Sequence, residues 1–158
     1  MLRGVLLPIF DELFGRRLGL GADYESRILR AQLNRMTANS TIRQHRDVGY
    51  YATNAHRYHI PLIIPKCVRF AHVLENDGSE WAEIPFKEGE AFEVNNRIVH
   101  RVEQSGPFER VTLIVDLLEG PVDATVEVKA TCASWFSVEC YSVANVTPQA
   151  FRGDVLVR

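Results

Sequence analysis

The sequence predicts one mainly β domain, a sandwich or jelly roll, preceded by a short helix. The chain has 158 residues, which is the length of a single domain. From about residue 27 onward, short runs rich in β-branched and aromatic residues follow one another closely. Turn-forming clusters at 76–78, 87–90 and 105–107 separate these runs. Many short strands separated in this way are typical of sandwiches and jelly rolls.

The elements follow from apolar periodicity. Residues 4–16 place apolar side chains at helical spacing, so we expect an amphipathic helix that ends near Gly15–Gly19 and packs on the main body. Residues 20–26 are predicted to be a connection. The predicted strands are 27–37, 40–46, 57–64, 67–74, 80–84, 91–94, 98–104 and 110–118. We therefore expect a single domain over 1–158, with a core over about 27–118. The C-terminal extension, 119–158, has candidate strands in 122–130, 135–146 and 154–157.

Composition excludes several classes of protein. Eighteen Lys and Arg against twenty Asp and Glu give a net charge of −2, so there is no basic excess for nucleic-acid binding. No apolar run approaches the ~20 residues of a membrane span. The short apolar N-terminus contains a proline and runs into acidic residues, which argues against a signal peptide. Three cysteines without CxxC spacing argue against a disulfide framework, and we expect a cytoplasmic protein.

Three residues have the chemistry of an iron site. His45 and Asp47 are two positions apart, so on a strand their side chains share one face. His100 lies in a second β segment, IVHRVE. Two histidines and one carboxylate on one face form the triad of non-haem Fe(II) oxygenases, which leaves coordination positions open.

Charged residues on two further predicted strands extend this pattern. Arg110 begins the apolar run VTLIVDLL, where a buried guanidinium needs a partner such as a carboxylate ligand. The alternative is an internal salt bridge to Asp116, Glu109 or Glu103. Arg57 and His59 share a face of another strand, and Pro61 after them indicates an edge or a bulge. Their alternative role is as solvated surface residues.

The order of these motifs resembles the aspartyl/asparaginyl β-hydroxylase family of Fe(II)- and 2-oxoglutarate-dependent dioxygenases, which includes relatives that hydroxylate free proline. The resemblance covers about residues 40–118. It rests on QHRD, RYHIPL, GEAFEVNNRIVHRVEQSG and ERVTLIVD, with Arg110 ten positions after His100. The fold that it implies is a double-stranded β-helix, a cupin-like jelly roll.

The resemblance also implies roles for individual residues. His45, Asp47 and His100 would bind Fe(II), and Arg110 would clamp the distal carboxylate of 2-oxoglutarate. Arg57 and His59 match an Arg-x-His that touches this cosubstrate. O₂ would complete the reaction, which hydroxylates an amino acid or an Asp, Asn or Pro residue in a peptide and releases succinate and CO₂. The animal β-hydroxylases lack the carboxylate found here at Asp47, so this chain resembles the free-proline hydroxylases in having a full triad.

The partner is expected to be a small-molecule or peptide substrate, whose identity the sequence leaves open, as it does the oligomeric state. Residues 48–55 are predicted to form a loop beside the metal. Candidate pocket residues are Tyr50, Tyr51, Asn54, Asn95, Asn96, Trp135 and Phe136, and candidate carboxylate binders are Arg43, Arg46 and Arg97. His56 and His72 match no part of the pattern. Two other functions stay open: a non-catalytic jelly-roll module that binds a metal or ligand, and a cupin-type enzyme that does not use 2-oxoglutarate.

Overall fold

The chain folds as two antiparallel β-sheets with helices at its N-terminal end. The computed structural model describes residues 2–74, 79–121 and 138–143. Within them the helices are α1 (Leu2–Phe10), which continues as a π-helical segment (Asp11–Arg17), a 3₁₀ turn (Gly21–Asp23), α2 (Tyr24–Arg27) and α3 (Tyr50–Asn54). The strands are β1 (Ile28–Met36), β2 (Thr41–His45), β3 (Ala55–Ile63), β4 (Val68–Val73), β5 (Trp81–Glu83), β6 (Phe92–Val94), β7 (His100–Gln104), β8 (Arg110–Leu118) and β9 (Val138–Val143).

The two sheets make a jelly roll, as the sequence predicts. The larger sheet has the order β6-β3-β8-β1-β9, and the smaller has the order β2-β7-β4-β5. Strand order departs from chain order in both sheets, which is characteristic of the double-stranded β-helix. None of the helices in the described ranges is long and apolar enough to cross a lipid bilayer.

All eight strands predicted between residues 27 and 118 are present, with ends shifted by two residues or fewer. The N-terminal helix is present too, although it begins earlier and becomes π-helical. Two short helices were not predicted: α2 within the expected connection, and α3 within the expected loop 48–55. Both are five residues or shorter, so they carry too little apolar periodicity to be recognised. Of the C-terminal candidates, only β9 lies within the described residues; 122–137 and 144–158 lie outside them.

The outer face of the large sheet is the apolar one. Phe10, Phe14 and Tyr24 from the N-terminal segments pack with Tyr58 of β3, and their ring centroids are 5.9–6.0 Å apart. All four side chains are 1% exposed or less. Fully burying one such side chain contributes roughly 1.5–3 kcal/mol, so the N-terminal helix is part of the domain core. The helix therefore leaves the opposite face of the sheet for the site.

The inner face of the large sheet is unusually polar. Alternation places every second residue of a strand on this face. The buried polar residues there come from three adjacent strands: Arg30 and Gln32 of β1, Arg110, Thr112 and Asp116 of β8, and Arg57 and His59 of β3. Such side chains are costly to bury without partners, so this face is the candidate location of a functional site.

Candidate active site

Strands β2 and β7 of the small sheet bring the two histidines together. His45 and His100 are directly opposite each other across the antiparallel pair, and their ring centroids are 4.4 Å apart. The register shifts between Ile42 and His45, so β2 carries one residue more than its partner. Without this bulge, Gln44 and not His45 would oppose His100. The bulge thus turns His45 toward the site, as bulges beside active sites commonly do.

Backbone carbonyls fix the orientation of both imidazoles. The Nδ1–H group of His45 donates to the carbonyl of Arg43 at 2.7 Å, and that of His100 donates to the carbonyl of Ile98 at 2.9 Å. Each ring is therefore held as the tautomer that leaves Nε2 free to accept a metal. This hydrogen bond on the second nitrogen is typical of metal-ligating histidines.

Asp47 completes the group, but it is not part of strand β2, so strand alternation does not explain its position. It lies two residues beyond the end of β2, where its backbone N–H donates to the carbonyl of Asn96 at 3.1 Å. Its Oδ1 is 3.5 Å from Nε2 of His45, and its Oδ2 accepts a hydrogen bond from Arg57. The ligand atoms of His45, Asp47 and His100 all lie within 4.8 Å of one another. The structure therefore brings the predicted triad together.

Electrostatics favours the metal-binding protonation state of Asp47 and of His100, but not that of His45. Burial tends to raise the pKa of Asp47, but hydrogen bonding to His45 and the charge of Arg57 outweigh it, so the pKa lies well below its usual range. Burial lowers the pKa of His100. The hydrogen bond with Asp47 raises the pKa of His45. Asp47 is thus ionised at neutral pH, and a metal ion would displace the proton that His45 shares with it. One carboxylate and two imidazoles are a donor set that fits Fe(II).

Arg110 is buried, and no carboxylate among the described residues pairs with it. Its side chain lies at the start of β8 and the residue is 3% exposed. Nη1 donates only to the weakly accepting Sδ of Met36 at 3.3 Å, and Nε and Nη2 have no partner among the described residues. Burial lowers the pKa of Arg110 to about 10, so the guanidinium is still charged at neutral pH.

The three carboxylates considered as partners for Arg110 are all bonded to other arginines. Asp116 pairs with Arg30 and Arg57, Glu109 pairs with Arg35, and Glu103 lies 3.4 Å from Arg101. The internal salt bridge that the sequence left open for Arg110 is therefore wrong within the described part of the chain.

Two further polar atoms near Arg110 are also buried and unbonded. Thr112 lies two positions along β8 on the same face, is fully buried, and its hydroxyl has no partner among the described residues. The sequence analysis missed Thr112, although its spacing from Arg110 was a usable signal. His59 is buried, and its Nδ1 lacks a partner in the same set. Burial and the charge of Arg110 lower the pKa of His59 far below its usual value, so the ring is neutral.

Arg57 is buried inside the site and not solvated on a surface. Its guanidinium donates to both oxygens of Asp116, at 2.8 and 3.0 Å, and to Oδ2 of Asp47. These bonds engage three of the five N–H groups of an arginine. Contact of Arg57 and His59 with a cosubstrate stays a prediction. The predicted irregularity at Pro61 is confirmed as a shift in register between Pro61 and Ile63.

The other candidate pocket residues are less clearly defined. The ring of Tyr51, in α3, lies under the guanidinium of Arg30, with the Cζ atom 3.7 Å from the ring centroid. Asn96 is buried and anchors the backbone of Asp47, whereas Tyr50 and the three arginines proposed as carboxylate binders, Arg43, Arg46 and Arg97, are exposed. Trp135 and Phe136 lie outside the described residues.

Comparison with known proteins agrees with this geometry. The family model for aspartyl/asparaginyl beta-hydroxylase matches residues 9–119. A crystal structure of an oxidoreductase of the 2OG-Fe(II) oxygenase family from Burkholderia pseudomallei is similar in fold, with a TM-score of 0.50 and 19% sequence identity. The match covers 71% of this chain and 57% of that one, so the chain spans little more than half the length of this neighbour. No curated protein matches the sequence significantly. Because the family model covers more than two thirds of the chain, the protein belongs to the aspartyl/asparaginyl β-hydroxylase family.

Proposed function

We propose that this chain is an Fe(II)- and 2-oxoglutarate-dependent dioxygenase. It would hydroxylate an amino acid or an Asp, Asn or Pro residue in a peptide, with succinate and CO₂ as coproducts. The observation that carries the proposal is the buried guanidinium of Arg110 on the inner face of the sheet, which has no carboxylate partner within the described ranges of the chain.

Burying the charge of Arg110 costs free energy. A buried charge without a partner is unfavourable, so a native protein that keeps one has a use for it. A guanidinium binds a carboxylate through two parallel hydrogen bonds, and Nε and Nη2 lie side by side on the group. Both atoms lack a partner among the described residues. The hydroxyl of Thr112 offers a further donor on the same face. An anionic ligand of low molecular weight with a carboxylate at one end satisfies these groups.

The His-Asp-His triad is the second feature that supports the proposal. Two imidazoles and one carboxylate are the donor set of non-haem Fe(II) oxygenases, and such a set would leave coordination positions open for a cosubstrate and oxygen. When bound, Fe(II) would supply the oxidative chemistry that inserts oxygen into a C–H bond. The residues of the chain have simpler tasks. His45, Asp47 and His100 hold the metal, Arg110 binds and orients the cosubstrate, and His59 adds a neutral polar atom to an otherwise apolar wall of Phe70 and Phe92.

The neutral state of His59 supports this arrangement. Its imidazole ring centroid lies 5.4 Å from that of Phe70, whose own ring lies 5.9 Å from that of His100. Burial and the charges of Arg110 and Arg57 keep the pKa of His59 well below its usual value. A charged imidazole there would oppose cation binding, so a low pKa of His59 is compatible with a metal and an arginine in one pocket.

Turnover of 2-oxoglutarate tests the proposal. Purified protein with Fe(II) and ascorbate is supplied with 2-oxoglutarate and a panel of free amino acids and of peptides containing Asp, Asn or Pro, and succinate is measured. We expect succinate in every case at a low level and a marked increase with one class of substrate. Hydroxylation without any need for 2-oxoglutarate would indicate the cupin-type enzyme instead. Metal and ligand binding with no succinate would indicate the non-catalytic module.

A further inference from the structure

Three strands of the large sheet meet in a buried ion-pair network on its inner face. Asp116 of β8 is opposite Arg30 of β1 on one side and Arg57 of β3 on the other. Its Oδ2 accepts a hydrogen bond from Nε of Arg30 at 2.8 Å and from Nη2 of Arg57 at 3.0 Å, and its Oδ1 accepts one from Nε of Arg57 at 2.8 Å. The carboxylate is fully buried, and neither arginine is more than 6% exposed. Asp116 is thus the centre of the network.

The network ends at the triad. Nη1 of Arg57 donates to Oδ2 of Asp47, while Oδ1 of Asp47 faces Nε2 of His45. One oxygen of the carboxylate is therefore held by Arg57, and the other is the one turned toward the histidine ligand. Which oxygen Asp47 presents depends on where the guanidinium of Arg57 lies.

Arg57 cannot hold that position by itself. Arginine is a long side chain whose free rotamers carry about 2 kcal/mol of entropy, so its guanidinium is fixed only by what binds it. The two-pronged bond to Asp116 fixes the plane of the group, and Arg30 in turn fixes Asp116. The ring of Tyr51 covers both cations, with its centroid 3.7 Å from Cζ of Arg30 and 4.9 Å from Cζ of Arg57.

We propose that Asp116 is a positioning residue for the metal site, acting through Arg57 to set the orientation of the Asp47 carboxylate. The hydrogen bonds of Asp116 to described residues go to Arg30 and Arg57 and not to His45 or Asp47, so its effect on the metal passes through Arg57. The inference rests on the proposed metal site. In this proposal Arg57 positions Asp47 whether or not a cosubstrate is bound. Two of its five N–H groups remain for a contact with the cosubstrate.

Metal affinity in a double-mutant cycle tests the role. The full chain is prepared as wild type, Asp116→Asn, Asp47→Ala and the double variant, and Mn(II) binding is measured by calorimetry at neutral pH. Asn has the same shape as Asp but lacks its charge, so it no longer holds Arg57 with a two-pronged bond. Outer partners of metal ligands typically contribute 10–100-fold in affinity, and we expect a loss of that order for Asp116→Asn. Glu83→Gln, which breaks an exposed ion pair with Arg69, is the matched control and leaves Mn(II) affinity unchanged.

The cycle separates positioning from general destabilisation. If Asp116 acts through Asp47, its substitution changes Mn(II) affinity by less than about twofold once Asp47 is already alanine. An equal loss in both backgrounds, or wild-type affinity in a folded Asp116→Asn protein, overturns the proposal. If Asp116→Asn does not fold, Arg57→Lys takes its place in the cycle, because it retains the charge but not the planar fork. A wild-type protein that binds Mn(II) but not 2-oxoglutarate refutes the proposed function and leaves this test valid.

Discussion

Replacing Arg110 by Met should make the metal-free protein no less stable, or more stable, while it weakens the binding of 2-oxoglutarate. Met has a similar length and lacks the charge, so it fills the same buried space beside Met36. A residue that only supports the fold would show the opposite behaviour, because its loss would reduce stability.

The size of the stability change follows from the burial of the guanidinium. Burial lowers the pKa of Arg110 from 12.5 to about 10, which at 1.36 kcal/mol per pKa unit corresponds to roughly 3 kcal/mol of cost to the folded state. Lost packing offsets part of any gain, so the expected change in the free energy of unfolding lies between about 0 and +3 kcal/mol. Because the folded-state pKa lies below the unfolded one, wild type recovers this stability as pH rises through about 10, and the difference between the two proteins shrinks there.

The same substitution should weaken the binding of 2-oxoglutarate. Truncating one partner of a buried charge pair costs on the order of 2–5 kcal/mol, which is roughly thirty- to several-thousandfold in Kd. Arg110→Lys should recover only part of it, since an ammonium group has no planar fork.

Two measurements check the predicted stability and the predicted affinity for 2-oxoglutarate. Urea unfolding of metal-free protein gives the stability, and calorimetric titration of 2-oxoglutarate into the Mn(II)-loaded protein gives the affinity. Arg69→Met, which alters an exposed arginine paired with Glu83, is the control and should change neither quantity appreciably. A folded Arg110→Met protein that is less stable and binds 2-oxoglutarate as wild type does would refute the reasoning.

Three other predictions concern the metal, the cosubstrate and pH. 2-Oxoglutarate should raise the melting temperature only when Mn(II) is present, because the cosubstrate needs both the metal and its clamp; an equal shift in chelated protein would contradict this. His45→Ala and His100→Ala should lose bound iron while circular dichroism shows an intact fold, whereas Asp47→Gly should retain some, since the imidazoles are the stronger ligands; iron content of the purified variants decides. Burial and Arg110 hold the pKa of His59 far below 6.5, so metal-free protein should lose stability as pH falls below about 6.5, by up to about 1.4 kcal/mol per pH unit. His59→Gln should show a shallower slope in urea unfolding between pH 7.5 and 5.5, and an unchanged slope would assign the loss to other groups.

The strands of the core were predictable because each of them carries a local signal. Strand β8 is flanked on both sides by other strands, and its sequence VTLIVDLL is accordingly apolar at every position except Thr112 and Asp116. Tyr58 and Ile60 alternate with Arg57 and His59 on β3, and the first pair lies in the core with the N-terminal helix, as alternation predicts.

The hydrogen bonds and ion pairs of the site were not predictable from the sequence, because they depend on the register of several strands. The bulge before His45 has no local signal, since nothing in TIRQH indicates which residue is extra. Asp116 was considered only as a partner for Arg110, six positions away on its own strand. Its actual partners, Arg30 and Arg57, are brought opposite it by the pairing of β1 and β3 with β8. Charged residues inside an apolar strand indicate that a network exists, but not how it is connected.

Anaerobic titration shows whether the triad and Arg110 bind one ligand together. 2-Oxoglutarate is added without oxygen to the Fe(II)-loaded protein, and visible absorption is recorded. We expect a weak charge-transfer band in wild type and in Arg69→Met, and no band in His100→Ala. In Arg110→Met the band should need a much higher concentration of 2-oxoglutarate. Iron bound by wild type with no band at any concentration of 2-oxoglutarate, or a band that forms equally well in Arg110→Met, would contradict this joint binding.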